Sequence, residues 1–126
     1  MSAHLSREDY VSACRQKSVA VCLGILSGAT DVLEGCRVLA SLRFEVQVSD
    51  GDEDFNVFRA ISSETDALPV GAVRTHWAPE ALARIQPEID AAVSWALPLA
   101  IPACTSVVQR FGPNSSLKRT DQSLRD

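Results

Sequence analysis

Apolar side chains recur at Tyr10, Cys14, Val21, Cys22 and Ile25, with Val11 and Val19 beside them, which is the spacing of an amphipathic helix. Ser6 stands where its hydroxyl can accept the Asp9 amide while the Asp9 carboxylate reaches back. Leu5 and Tyr10 are placed as the accompanying hydrophobic staple. Gly28 supplies a left-handed stop. A second apolar face (Val32, Leu33, Cys36, Leu39, Ala40 and Phe44) follows Asp31, whose spacing to Glu34 reads as another capping box. Gly35 inside that helix costs about 1 kcal/mol relative to alanine, which a close helix crossing against Gly24 or Gly28 would offset. The short link Gly28-Ala29 predicts that the two helices are antiparallel.

Asp50-Gly51-Asp52-Glu53-Asp54 is a polar break. The preceding Phe44–Val48 alternates like a strand but has no evident partner, so it reads as a frayed helix end. Phe55–Ile61 predicts a short helix with Asp54 as its cap. Pro79 suits the first position of a last helical region, whose inward stripe is Leu82, Ile85, Ile89, Ala92, Val93 and Ala96. Pro87, Pro98 and Pro102 each remove an amide donor and crowd the carbonyl four residues back. A proline-kinked pair of helices is therefore expected, the second carrying Cys104, Val107, Val108 and Phe111. The prediction is an all-α domain over residues 1–111, a small bundle of four to five helices with the 62–78 loop covering one end. Residues 112–126 lack an apolar face and are expected to be disordered.

Composition narrows the function classes only a little. The chain has 126 residues, 46% of them apolar and 22% charged, enough for one soluble domain with a core. A net charge of −4 argues against a dedicated nucleic-acid binder, which carries a basic stripe. Cysteines 14, 22, 36 and 104 form no C-x-x-C pair and read as free buried thiols. The amino terminus has no signal-peptide pattern. The apolar run Val19–Leu26 falls well short of the roughly 20 residues that span a bilayer. A cytoplasmic, reduced protein with no membrane association, no nucleic-acid partner and no cofactor is expected.

No catalytic motif stands out. Glu34, Glu64, Asp66 and Glu88 are acids on different elements, but the Glu-x-x-His signature of bundle metal sites is absent. Asp50–Asp54 lacks the ligand series of a calcium loop. No nucleophile elbow or phosphate-binding glycine loop is present. The densest chemistry lies in Ser63–Trp77, where Glu64, Asp66, Arg74, His76 and Trp77 are the candidate binding residues. Three readings compete. In the first, Ser63 or Thr65 makes local bonds with Asp66, Arg74 pairs with Glu64 or Asp66, and Trp77 plugs the bundle end. In the second, the segment is a recognition surface, since Arg and Trp are enriched at binding hot spots. In the third, the same acids form an enzyme pocket.

Ser63-Glu64-Thr65-Asp66-Ala67-Leu68-Pro69-Val70-Gly71, with Arg74, Trp77 and the upstream Glu34-Gly35-Cys36-Arg37, resembles the central motif of a group of small bacterial helical proteins without assigned function. The resemblance implies a bacterial cytosolic origin and carries over no activity. The reading that follows is a non-enzymatic protein-binding module, of the toxin-neutralising immunity or adaptor type, in which acids on a helical scaffold mask a basic site. Self-association through Val19–Leu26 fits equally. The alternative is a small enzyme or a metal or metabolite binder built on Glu64, Asp66, Arg74 and His76.

Overall fold

A computed structural model describes residues 6–112. Leu5, and with it the predicted staple, lies outside them, as does segment 113–126. Among the described residues the elements are α1 (Arg7–Ser27), α2 (Val32–Ser41), α3 (Glu53–Glu64), a 3₁₀ helix (Gly71–His76) and α4 (Pro79–Phe111), with no strand. The protein is a small all-α bundle, as the periodicity predicts.

Local signals set the starts of α1 and α2. Ser6 Oγ accepts the Asp9 amide at 3.0 Å, and Gly28 closes α1 at φ 86° with its N–H on the Ile25 carbonyl. Asp31 caps α2 by accepting the Glu34 amide at 2.9 Å. Two aromatic assignments fail. Tyr10 is exposed, because its hydroxyl reaches Glu45 Oε1 at 2.7 Å instead of turning inward. Phe44 is 73% exposed, since α2 ends at Ser41 and the turns over 42–47 carry it outward, leaving Val46 as the buried side chain. Gly35 is a close-packing position, but its partner is not another glycine. A Cβ there would lie 2.6 Å from Ile25 Cδ1, so an isoleucine of α1 seats on the bare backbone of α2.

The start of α3 is displaced from the prediction. Asp52, not Asp54, is the cap, accepting the Phe55 amide at 3.1 Å. Asp54 instead accepts from Arg110 Nη1 at 2.8 Å, beside Asp52 and Arg110 Nη2 at 2.6 Å. These bonds tie the start of α3 to the end of α4. Gln16 Nε2, donating to the Phe111 carbonyl at 3.0 Å, ties the same end to the first half of α1. α4 therefore runs antiparallel to both. The core holds Leu33, Leu39, Val46, Ile61 and an edge-to-face pair, Phe55 and Phe58, with ring centroids 5.4 Å apart. Ala96, Ala100 and Ala103 let α4 approach it closely.

The expected carboxy-terminal pair is one helix of 33 residues, continuous through Pro87, Pro98 and Pro102. At 3.6 residues per turn the three prolines fall within an arc of about 60°, and all are exposed. The carbonyls they deprive of donors, on Ala83, Ser94 and Pro98, belong to exposed residues, where water can replace the missing amides. α4 is about 50 Å long against about 32 Å for α1. Its first buried residue is Ile89, so its opening turns project past the core.

Candidate functional site

The segment after α3 is held by side chains from α2. Thr65 is buried, donates its amide to the Ile61 carbonyl at 3.1 Å, and returns its hydroxyl to the same oxygen at 2.7 Å. The expected local bond to Asp66 is thus replaced by a closure onto the last turn of the helix. Arg37 Nη2 donates to the carbonyls of Thr65 and Leu68, the latter at 2.9 Å. Pro69 and Val70 are buried, and Gly71 follows at φ 62° with the Glu34 carboxylate packed over it. A Cβ at Gly71 would lie 2.6 Å from Glu34 Oε2. Glu34-Gly35-Cys36-Arg37 and Ser63–Gly71, separate in sequence, therefore meet in space, and their shared work is to fix this turn.

That scaffold distributes the five candidate residues instead of gathering them. Glu64 is exposed at the end of α3 and lines a groove of about 410 Å³ with Leu68, Glu88, Ala91, Ala92 and Trp95. Trp77 is half-buried beside the overhanging start of α4, in a smaller groove with Ala81, Arg84, Ile85 and Glu88. Arg74 lines a third cavity, of about 300 Å³, with Asp31, Glu34, Val70, Gly71 and Ile89, and donates to Gln86 Oε1 at 3.4 Å. Asp66 and His76 are exposed. The expected pairing of Arg74 with Glu64 or Asp66 is not formed: among the described residues the ion pairs are those of Arg110 with Asp52 and Asp54. The 3₁₀ helix turns Arg74 toward α2 while Glu64 faces α4.

Among the described residues no group of three or more His, Cys, Asp or Glu side chains is placed to share a metal ion. All four cysteines are buried. A hydrogen bond with Cys104, together with burial, raises the Cys22 thiol, and burial pushes Cys36 up to about 12. Protonated thiols shielded from solvent are poor nucleophiles.

Beside the Val19–Leu26 run, read from the sequence as a self-association surface, α4 adds a second stretch without charge. Residues 18–30 and 91–109 contain no Asp, Glu, Lys or Arg. These stretches lie side by side, because α1 and α4 are antiparallel with Cys22 against Cys104. Exposed on them are Leu23 (48%) and Leu26 on α1, and Trp95 (45%), Leu99 and Ile101 on α4. Helical phase puts Leu23 and Leu26 on the flank of α1 that adjoins Ile101 and Pro98. Trp95 carries the apolar surface on into the Glu64–Glu88 groove. α4 is long and apolar enough to cross a membrane by length and composition, and 28% of its most apolar stretch is buried in the bundle. The available signal was apolar residues on all sides of one helix, where a single core-facing stripe is the rule for a surface helix.

Comparison of the chain with protein-family models, with curated proteins and with solved structures finds no match in any of the three.

Proposed function

We propose that the chain is a non-enzymatic protein-binding module that docks through the exposed α1/α4 face. The observation that carries this reading is the absence of charge around the exposed Leu23, Leu26 and Ile101 at the α1/α4 seam, continued round the outer side of α4 to Trp95 and Leu99 on its α3 flank. Tryptophan is a residue type that anchors interfaces, and Trp95 lies at one end of this surface, in the Glu64–Glu88 groove. An apolar docking face suits an adaptor or a self-associating module better than an inhibitor that presents acids to a basic active site. Of the candidate residues, Glu64 shares the Trp95 groove, while Trp77 and Arg74 line separate grooves.

The test is site-specific photo-crosslinking in cells of the source organism, with benzoylphenylalanine replacing Leu99 and, as a control, Arg59 on the exposed side of α3. A protein adduct at position 99 and none at position 59 is expected. The absence of any protein adduct at position 99, with the variant folded, overturns the reading.

A metabolite site is the second reading, favoured by the Arg74 cavity alone. Its guanidinium and the Asp31 and Glu34 carboxylates could receive the two ends of a small zwitterion, with Val70 and Ile89 as the apolar wall. Thermal-shift titration with free amino acids tests it. Stabilisation lost in Arg74→Met is the supporting result, and no stabilisation by any of them overturns it.

A further inference from the structure

We propose that the groove between the end of α3 and α4 is a binding site for a small organic cation, a protonated amine carried on a flat aromatic body. The proposal goes beyond the docking reading and does not depend on it. The groove, of about 410 Å³, falls within the size range of small-molecule sites. One wall is a single face of α4, where Glu88, Ala91, Ala92 and Trp95 follow one another at i, i+3, i+4 and i+7. The acid and the indole are thus two turns apart, about 10 Å along the axis, with only methyl groups between them. The facing wall is Glu64, Thr65, Ala67 and Leu68, at the end of α3 and the turn that leaves it. Arg37 fixes that wall through the Thr65 and Leu68 carbonyls. Both walls therefore stand in place before a ligand arrives.

Charge selects the ligand class. Each wall carries one carboxylate, and among the described residues no Lys, Arg or His lines the groove. Neither Glu64 nor Glu88 has a cationic partner among those residues, where the ion pairs are those of Arg110. Arg84, one turn before Glu88, lines the neighbouring groove without pairing with it. An anion meets its own sign here, and a neutral molecule leaves both acids uncompensated. A bare metal ion fits no better. Two carboxylates fall short of the oxygen shell that hard cations need, and the other lining side chains are apolar apart from one threonine. An arylalkylamine uses every part of the lining. Its ring lies over Ala91 and Ala92 against the exposed Trp95 indole, and its ammonium reaches the acids at the other end of the groove.

The experiment is titration of the full chain with phenethylamine, followed by nuclear magnetic resonance at the Ala91 and Ala92 amides and the Trp95 indole N–H. Saturable binding with a dissociation constant of about 1 mM or below is expected. Phenylethanol, the same body without the charge, should bind wild type about tenfold more weakly. Glu64→Gln, Glu88→Gln and Trp95→Leu should each weaken phenethylamine by about two- to fivefold, as for a charge pair or ring contact at an exposed site. Glu8→Gln, which removes an acid in the first turn of α1, should leave it unchanged. Circular dichroism checks that each variant is folded. No saturable shift up to about 20 mM phenethylamine overturns the proposal. So does phenylethanol binding as tightly as the amine, which needs no variant, or a folded Glu64→Gln/Glu88→Gln double variant that binds as wild type does. The crosslink at position 99 is read independently, so failure of this site and failure of the docking reading are told apart.

Discussion

Arg37 on α2 donates to the carbonyl of Leu68 at 2.9 Å and with the same nitrogen to that of Thr65, so one guanidinium closes the turn that leaves α3. Its Nε is buried without a partner, and the cation thus gives up some hydration to hold two carbonyls. Removing it leaves both acceptors unpaired beside a buried threonine. Arg37→Met is expected to lower stability by about 2–4 kcal/mol, as for charge-assisted hydrogen bonds lost from a partly buried site. Urea unfolding followed by circular dichroism measures it. An unchanged midpoint would mean the turn holds itself.

Gly71 gives a sharper case, because conformation and space act together. At φ 62° an L-residue costs about 1–2 kcal/mol, and the new Cβ would press on the Glu34 carboxylate. Gly71→Ala should destabilise by at least that amount. Glu34→Ala in the same chain should recover the steric part and leave the conformational part. A double-mutant cycle in urea reads the coupling directly, and strict additivity would show that Glu34 simply moves aside.

What was legible in the chain was local. Ser6, Gly28 and Asp31 act within four residues of themselves, so their roles are written beside them. Asp52 and Asp54 are equally good caps by type, and only Arg110, more than fifty residues away, decides between them. Phe44 looked buried because its position continues the face of α2, but the helix stops first. In the candidate segment, Glu64 and Arg74 are close in sequence, yet the turn at Pro69–Gly71 sends them to different sides. The α1 half of the uncharged surface, Val19–Leu26, is legible as an apolar run, but the α4 half is not, for a related reason. A search for polar chemistry passes over a stretch whose information is the absence of charge.

The Arg110 pair predicts a pH dependence. Burial alone would raise Asp52, but hydrogen bonds from Arg110 and the Phe55 amide outweigh it and hold the carboxyl below its ordinary 3.8. A carboxyl depressed on folding adds stability that is complete above the ordinary value and disappears as pH falls through the folded value. Wild type should therefore lose stability below about pH 4, and Arg110→Ala should lose less of it between pH 6 and pH 3. Urea midpoints at those two pH values test this, and equal losses in the two proteins would remove Arg110 as the cause.

The thiols report on the core as a whole. Cys22, Cys36 and Cys104 are fully buried and Cys14 is 8% exposed, so reagent must wait for the helices to open. The raised Cys22 and Cys36 values also leave little thiolate even where reagent arrives. Native protein is expected to show no rapid reaction with Ellman's reagent at pH 8, and all four thiols should react at once in guanidinium. Because labelling then follows the population of the open state, a variant that weakens the α1–α2 seam should label faster in proportion to its lost stability. Gly35→Ala is that variant, since its Cβ would collide with Ile25 at 2.6 Å. A single thiol reacting quickly in the native wild type would locate a local opening in the core, and Cys→Ser substitutions one at a time would identify it.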